Sequence, residues 1–339
     1  MMLPTVFKRC QLAAIALAVA AGATFTAATA RADWEKTDTT VAWKANGKVL
    51  WRFSFDPTKG KSFFDPVSAG GPAFTNFKPA DHPWHYGLWF SWKYLNPPGT
   101  EHVNFWEEDR TTGNAQGKTA WKPPTIETQP DGSAVIKMDV TYTSAKGEVD
   151  MTESRQIVLS APAPDNSYNM DWTMHFTAGK NGTVLDRTPM PGEPGGQVNG
   201  GYAGLSIRMA GLPLMMKVVT PAGPITDFPG NRARPNSPSV GCNFVDATGA
   251  NQGGVAFYSD PANISHPTPP WYIINDNVQV PPGAAAPEGF RFICSCILGP
   301  KILTLKPKEK MDLHYRISMS PKAWTEATLK AGQEAFTKK

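Results

Sequence analysis

Short segments of strand length recur from residue 41 onward, separated by turns rich in Gly, Pro, Asn and Asp. These apolar or alternating segments lie at 41–44, 48–55, 61–64, 134–143, 153–159, 168–176, 204–209, 215–220, 254–258, 271–274, 290–298 and 311–319. Asn46-Gly47 is a strong signal for a two-residue hairpin turn. Only residues 322–337 show a helical period. With 30 glycines and 32 prolines for turns, the chain is predicted to be all-β, a large β-sandwich or supersandwich with one C-terminal helix.

The first 32 residues have the layout of a secretory signal peptide. Lys8 and Arg9 precede an alanine-rich apolar run, small residues lead to Ala32, and no acidic residue occurs. Cleavage after Ala32 would give a periplasmic or secreted protein, and no later run offers the ~20 apolar residues of a membrane span. We therefore predict three segments: a signal peptide over 1–32, a single β domain over 33–320 and a C-terminal helix or tail over 321–339.

Charge and cysteine content narrow the expected partners. Loss of the signal segment removes three basic residues and no acidic one, which lowers the formal net charge from +4 to +1. A nearly neutral chain lacks the basic surface that nucleic acid or an anionic membrane requires, so neither partner is expected. Cys242, Cys294 and Cys296 would remain, and a disulfide from Cys242 to either of the others would leave an odd thiol.

The stretch 81–93 concentrates reactive and aromatic residues. It holds His82 and His85, two of the six histidines, together with three tryptophans. A proline between the histidines favours a bend, and Gly87 allows a close approach of backbone, so both imidazoles can point to one place. The strand that follows is predicted to form a hairpin with residues 102–109 across a Pro-Pro-Gly turn.

An imidazole near a carboxylate can act as a general acid or base near neutral pH. His85 and Glu107 are therefore the candidates for proton transfer, and His82 would share that role or orient a substrate. Trp89, Trp106 and Trp271 are the candidate platforms for a sugar ring, because indole faces stack on apolar surfaces. The same residues would equally build a tryptophan-rich core.

Two other segments offer binding groups. The proline-rich loop in 259–272 displays His266 and Trp271 with little conformational freedom left to lose on binding, and Tyr272 follows. Arg208 lies on a strand that a glycine-rich segment precedes, where it would bind a carboxylate or hydroxyl cluster or close a structural ion pair.

We expect His82, His85 and His266 to meet in one cleft at one end of the sandwich. Successive strand residues face opposite sides, so only one of Glu107 and Glu108 can point inward as their carboxylate partner. Glu107 is preferred, because it directly follows Trp106 and a turn there could bring it toward the site. No cofactor is required by this arrangement, although the three histidines offer an alternative metal site.

Several motifs, in the same order, resemble an exported bacterial family often labelled methane oxygenase PmoA. They are Asp81-His-Pro-Trp-His-Tyr-Gly-Leu-Trp89, Asn104-Phe-Trp106, Gly204-Leu-Ser-Ile-Arg208, the Pro- and His-containing run 260–272 and the closing run that ends at Arg316. The resemblance spans residues 40–320 and implies a galactose-mutarotase-like supersandwich, a fold of sugar epimerases, glycosidases and polysaccharide lyases. The integral membrane methane monooxygenase subunit of that name is a different protein, because this chain lacks a span for the bilayer. Trp84 and Tyr86 depart from the family's more usual His-His-Arg motif.

These observations predict an exported, carbohydrate-active protein that binds a small sugar or an oligosaccharide. Acid/base chemistry of hydrolase, epimerase or lyase type fits the candidate residues. A non-catalytic glycan-binding or envelope protein is the alternative, and it would lose binding when Trp89 or Trp271 is replaced. A histidine-ligated metalloenzyme is a third.

Overall fold

Alternating burial along the strands shows how the chain folds. In the strand Ala134–Thr143 every second side chain is buried, as expected when one face of a sheet covers a core.

The computed structural model describes Met1 and residues 32–144, 146–211, 214–264, 269–276 and 289–338. The predicted signal peptide lies almost wholly outside these residues, and residues Arg31–Lys339 form one compact unit.

Strands make up nearly all of the regular structure. In chain order they are β1 (Ala32–Lys36), β2 (Thr40–Ala45), β3 (Lys48–Ser54), β4 (Phe63–Val67), β5 (Leu88–Ser91), β6 (Tyr94–Asn96), β7 (Val103–Asn104), β8 (Lys118–Trp121), β9 (Thr125–Thr128), β10 (Ala134–Thr143), β11 (Val149–Leu159) and β12 (Tyr168–Ala178). They continue with β13 (Thr183–Asp186), β14 (Gly204–Arg208), β15 (Met215–Thr220), β16 (Gly223–Ile225), β17 (Arg232–Ala233), β18 (Ser239–Val245), β19 (Asn251–Ser259), β20 (Tyr272–Asn275), β21 (Arg291–Cys294), β22 (Leu303–Leu305) and β23 (Lys310–Ser320). Single 3-10 turns lie at Pro57–Lys59 and Pro229–Asn231, and the helix α1 is Glu326–Thr337.

The strands form two large antiparallel sheets and one small one. The first sheet has the order β1-β2-β3-β4-β5-β14-β21-β20-β17, and the second has the order β16-β15-β18-β19-β23-β12-β11-β10-β8, with β9 also paired to β10. The small sheet has the order β22-β13-β6-β7. The predicted all-β sandwich is confirmed, as is the hairpin at Asn46-Gly47, where both residues have positive φ.

The main hydrophobic core lies between the two large sheets. Rings from the first sheet meet rings from the second: Phe64 lies 5.7 Å from Trp172, and Phe90 lies 5.6 Å from Phe176. Burial of this apolar area provides the main stabilisation of a sandwich.

A second apolar layer covers the opposite face of the first sheet. We call it the aromatic cluster, and its buried members are Phe63, Tyr86, Trp89, Trp106, Tyr272, Ile274, Phe292, Cys294 and Cys296. Strand alternation separates the two layers, because Trp89 and Tyr272 belong to the cluster whereas the adjacent Phe90 and Ile273 belong to the main core. One sheet therefore carries a core on each face, and the candidate site lies on the cluster side.

The hairpin predicted between the strand after residue 87 and residues 102–109 is formed by different strands. Strand β5 pairs with β4 and β14 in the first sheet, and the Pro-Pro-Gly turn instead joins β6 to β7, with Tyr94 opposite Asn104. The chain leaves the large sheet after Ser91, so the turn closes a hairpin of the small sheet.

The C-terminal helix is confirmed, and it begins four residues later than predicted. Thr325 is extended and caps the helix, because its side chain accepts a hydrogen bond from the Thr328 amide. The preceding Trp324 is held by two hydrogen bonds with Asn243 on β18. Leu329 and Phe336 pack on the outer face of the second sheet.

Cys242, Cys294 and Cys296 are buried free thiols, so no disulfide links them. Across the described ranges, no helix combines the length and apolar character needed to cross a bilayer.

Candidate active site

A cleft of about 350 Å³ opens above the aromatic cluster. Its walls come from the loops before β5, after β7 and before β14 and from strands β17, β20 and β21. Its lining residues are His82, Trp84, His85, Trp106, Glu107, Val198, Asn199, Tyr202, Arg232, Tyr272, Ile274, Phe290 and Phe292. Six of these residues are aromatic besides the two histidines. Concave sites of this size with few polar groups are typical of small-molecule binding.

A tight loop between β4 and β5 places the two histidines. Phe77 and Tyr86 form an isolated bridge across it, and the His85 amide donates to the His82 carbonyl at 3.0 Å. Gly87 closes the loop with φ 66°, and a Cβ there would lie 2.5 Å from the Phe64 carbonyl oxygen. The close backbone approach predicted for Gly87 is confirmed, and only glycine avoids that clash.

The imidazoles of His82 and His85 stack, with centroids 4.7 Å apart. Phe290 stacks on His82 at 4.7 Å, and Phe292 stacks on His85 at 5.0 Å. The two rings are therefore held in fixed orientations by aromatic faces.

A carboxylate links His82 to a buried arginine. Asp81 Oδ2 lies 3.0 Å from His82 Nδ1 and 2.8 Å from Nη2 of the fully buried Arg208. The carboxylate accepts a hydrogen bond from Nδ1–H of His82. The unprotonated Nε2 atom of the neutral ring is therefore the atom that can accept a proton. Burial lowers the pKa of His82 and outweighs the opposing effect of Asp81, so the imidazole is neutral at pH 7.

His85 is more deeply buried than His82, with 4% exposure. Burial holds its pKa well below the usual value, and the positive charges of Arg208 and Lys61, together with that of His82 when it is protonated, lower it further. Its Nδ1 atom is buried and has no hydrogen-bond partner among the described residues. A buried polar atom without a partner is costly, and a bound ligand would satisfy this one.

Glu107 reaches the cleft because of a turn after β7. The Asn104 side-chain oxygen accepts hydrogen bonds from the amides of Trp106 and Glu107, at 2.9 and 3.0 Å. The Glu107 carboxylate then binds the Lys93 ammonium and the Asn104 amide, and accepts a 2.5 Å hydrogen bond from the Tyr202 hydroxyl. Burial raises the pKa of Glu107, but the charge of Lys93 and these hydrogen bonds outweigh it and leave the pKa lowered.

Glu108 points to the opposite side. Its carboxylate lies 2.9 Å from the ammonium groups of both Lys61 and Lys78 and accepts a 2.6 Å hydrogen bond from the Tyr86 hydroxyl. The side chain is 5% exposed and does not line the cleft. Glu107 is thus the one of the two carboxylates that shares the cleft with the histidines.

Five of the nine predicted site residues line the cleft. These are His82, His85, Trp106, Glu107 and Tyr272. Their arrangement puts an ionised carboxylate and two neutral imidazoles in one aromatic-walled space. Such groups accept protons near neutral pH and return them when the local charge changes.

Trp89 and Arg208 lie behind the cleft and not in its wall. Trp89 is fully buried beneath Trp106, with ring centroids 5.5 Å apart, so it has no face free to stack on a sugar. Arg208 binds Asp81, and its guanidinium lies 4.1 Å from the Phe290 ring centre. Both residues support the groups that line the cleft.

Trp271, predicted as a stacking platform, belongs to the main core instead. It shares the strand face of Ile273, whereas Tyr272 shares that of Ile274, because side chains alternate along a strand. Its Nε1 atom donates to the Ser237 carbonyl at 2.8 Å, and its ring packs 5.9 Å from Phe257.

Several residues in or next to the cleft wall are absent from the prediction. Tyr202 and Lys93 hold Glu107, Arg232 donates to the Tyr272 hydroxyl at 3.0 Å, and Phe290 covers His82. Tyr202 follows the glycines of segment 199–209, so an aromatic residue at a glycine-rich strand entry is the signal that was available for it.

His266 lies outside the described residues, so its convergence with the other two histidines stays a prediction. In the part of the chain that is described, no three or more His, Cys, Asp or Glu side chains are grouped to hold a metal ion. A three-histidine metal site that includes His266 is therefore also untested.

The model of a family of unknown function, DUF6807, matches residues 40–333. This match covers the same region as the motif resemblance. It tests neither the methane oxygenase label nor export, so both stay predictions. No curated protein matches the chain.

Solved structures of sugar-related enzymes resemble the chain weakly. An aldose 1-epimerase candidate from Klebsiella pneumoniae has a TM-score of 0.43 at 10% identity over 88% of this chain and 82% of its own. A galactose mutarotase related enzyme from Lactobacillus acidophilus has a TM-score of 0.29 at 6% identity, with 87% and 100% covered. A 4-alpha-glucanotransferase from Thermococcus litoralis has a TM-score of 0.31 at 8% identity, with 86% and 38% covered. At these values the likenesses say nothing about activity.

Proposed function

The chain belongs to DUF6807, a family of unknown function, and we propose that it is a carbohydrate-active enzyme that transfers protons to and from a sugar in the cleft. One observation carries the proposal: an ionised Glu107 and the neutral, stacked His82 and His85 line a single space with aromatic walls. Aromatic faces bind the apolar faces of sugar rings, and the three polar groups supply acid/base chemistry.

The geometry favours proton abstraction and return over two-carboxylate glycoside hydrolysis. Hydrolysis of that type needs a second carboxylic acid whose pKa is raised. Among the described lining residues Glu107 is the one carboxylate, and its pKa is lowered. In an epimerase or lyase, Glu107 accepts a proton from the sugar. His82, once it has taken up a proton from solvent at Nε2, returns one to the sugar or to the leaving oxygen, and Glu107 then releases its proton to solvent, which restores both groups. Asp81 stabilises the positive charge on His82 whenever that imidazole carries the proton.

The test is a screen of the purified full-length chain against neutral and acidic mono- and oligosaccharides. Nuclear magnetic resonance would follow anomer or epimer exchange, ultraviolet absorbance would follow unsaturated products, and reducing-end assays would follow hydrolysis. Glu107→Gln and His82→Asn are expected to lower kcat by about 10²–10⁴-fold, the usual contribution of a general acid or base.

His175 provides a matched control. It also pairs with an aspartate, Asp312 at 2.8 Å, but it lies exposed on the second sheet. His175→Asn is expected to leave kcat unchanged. Absence of turnover on every sugar, or equal rates for His82→Asn and His175→Asn, would contradict the proposal.

A non-catalytic glycan-binding protein is the second candidate, and the aromatic walls favour it. Half-buried Trp84 lines the cleft, and the guanidinium of Arg110 lies 5.3 Å from its ring centre. This function predicts sugar binding that survives Glu107→Gln but falls in Trp84→Ala. Because Trp89 and Trp271 are buried, Trp84 replaces them as the residue to test.

A further inference from the structure

The cleft continues into a second, larger cavity. This neighbouring cavity has a volume of about 510 Å³, and it shares Val198 and Arg232 with the cleft. Its wall is largely proline and aliphatic, with the charged groups Asp227, Arg232 and Arg234. The two cavities together form a groove that extends beyond the space around the histidines.

Two arginines line the second cavity, and one of them, Arg232, also lines the cleft. Arg232 begins β17, and Arg234 follows two positions later, so both side chains leave the same face of the chain. Strand β17 pairs with β20 at the edge of the first sheet, where Arg232 is opposite Ile274. The sheet edge therefore directs both guanidinium groups toward the groove.

Uncharged partners hold both guanidinium groups in place. Arg232 donates through Nε to the Tyr272 hydroxyl at 3.0 Å and through Nη1 to the Gly230 carbonyl at 2.6 Å. Arg234 lies with its Cζ 4.1 Å from the Tyr272 ring centre and donates through Nη2 to the carbonyl of Gly200 at 2.7 Å. Arg234 also donates through Nη2 to the Val198 carbonyl at 3.0 Å and through Nη1 to the Met190 sulfur at 3.7 Å. These bonds leave the Nη2 group of Arg232 unused and occupy most of the Arg234 donors.

Arg232 and Arg234 differ from other cationic residues around the cleft in the carboxylate partners that they have. Lys93 is neutralised by Glu107, and Arg208 is neutralised by Asp81. Among the described residues, no carboxylate lies within ion-pair distance of Arg232 or Arg234. Two adjacent, partly buried guanidinium groups without a carboxylate partner repel each other, and a bound anion removes that repulsion.

We propose that Arg232 and Arg234 form a subsite for the anionic group of an acidic sugar unit, next to the sugar that occupies the cleft. This inference rests on the proposed function and narrows its substrate to an acidic oligosaccharide. Arginine binds carboxylate and sulfate groups with paired hydrogen bonds, so the shared chemistry is a planar or tetrahedral oxyanion on a sugar.

The test is calorimetric binding of three tetrasaccharide probes to the full-length chain at low salt: a uronate-containing, a sulfated and a neutral one. At least one acidic probe is expected to bind about tenfold or more tightly than the neutral probe, and to lose affinity as salt increases. The acidic probe that binds more tightly identifies the anion as carboxylate or sulfate.

Arg234→Gln is expected to weaken binding of that acidic probe about 10–100-fold, the range of a hydrogen bond between charged groups, and to leave the neutral probe unchanged. Arg232→Gln, which also removes a residue from the cleft wall, is expected to weaken the acidic probe more than the neutral one. Lys137→Gln, which removes one exposed charge on β10 of the second sheet, is the control and should change neither. Arg234→Lys, which keeps the charge but not the fork of donors, should recover part of the affinity.

Equal binding of acidic and neutral probes, absence of binding, or equal effects of the arginine variants on both kinds of probe would overturn the inference. Binding is measured without turnover, so the two proposals fail separately. Arginine-dependent binding of an acidic probe without any reaction contradicts the proposed enzyme and supports the subsite. Turnover of neutral sugars that depends on Glu107 and not on the arginines supports the enzyme and contradicts the subsite.

Discussion

Glu107 and Glu108 are adjacent in the chain and lie in two different environments. Glu107 is 30% exposed in the cleft and holds buried Lys93, whereas Glu108 is 5% exposed and joins Lys61 to Lys78 behind the aromatic cluster. Each accepts a hydrogen bond from a tyrosine hydroxyl: Glu107 from Tyr202, and Glu108 from Tyr86. The same chemical group is therefore accessible to a ligand on one side and buried in an ion-pair network on the other, and access to the cleft is the difference.

The largest contrast is expected when each carboxylate is neutralised. Glu108→Gln should lower the free energy of unfolding by about 3–5 kcal/mol, because it leaves the ammonium of Lys61, 4% exposed, buried without a counter-charge. Glu107→Gln should cost less stability, about 1.5–3 kcal/mol, because water can enter its half of the pair through the cleft. Urea unfolding measures both.

Activity should follow the opposite order. Glu108→Gln is expected to retain kcat where it remains folded, whereas Glu107→Gln loses it. A Glu108→Gln protein that is fully stable, or a folded one that is inactive, would break the comparison.

The tyrosine partners provide a smaller, matched test. Tyr86→Phe removes the hydrogen bond to Glu108 and should cost about 1.5–3 kcal/mol of stability without changing the pH profile of activity. Tyr202→Phe removes a hydrogen bond that lowers the pKa of Glu107, so that pKa should rise. The acid limb of kcat/KM against pH should then move to higher pH. An unchanged acid limb would show that Glu107 is not the ionisable group.

The smallest effect concerns pH and stability on the cleft side. Burial lowers the pKa of His85 in the folded state below its unfolded value of 6.5, so the unfolded state binds more protons as the pH falls below 6.5. Stability should therefore fall with decreasing pH in that range, by at most about 1.4 kcal/mol per pH unit from this residue.

His85→Asn should flatten this slope, measured by urea unfolding between pH 7 and pH 5, and His175→Asn should not. A slope that is the same in wild type and His85→Asn would show that His85 does not titrate differently on folding.

The local sequence pattern was sufficient to predict three features of the secondary structure. Period-two burial, the Asn46-Gly47 turn and the helical spacing near the C-terminus depend on neighbouring residues alone, and the structure confirms all three. The histidine bend was also predictable, because the proline between His82 and His85 favours it locally. The preference for Glu107 depended on a turn after Trp106, and the structure has a turn at Asn104 that brings Glu107 into the cleft.

What the sequence by itself determined about this protein is which side chains share a face of a strand. Trp89 and Tyr272 alternate with their neighbours, and so does Trp271. Which face meets the second sheet and which meets the cleft was decided by tertiary structure, because both faces of the first sheet are covered by apolar groups. The arrival of Tyr202 and Arg232 in the cleft was decided in the same way, since pairings between strands distant in sequence bring their loops together.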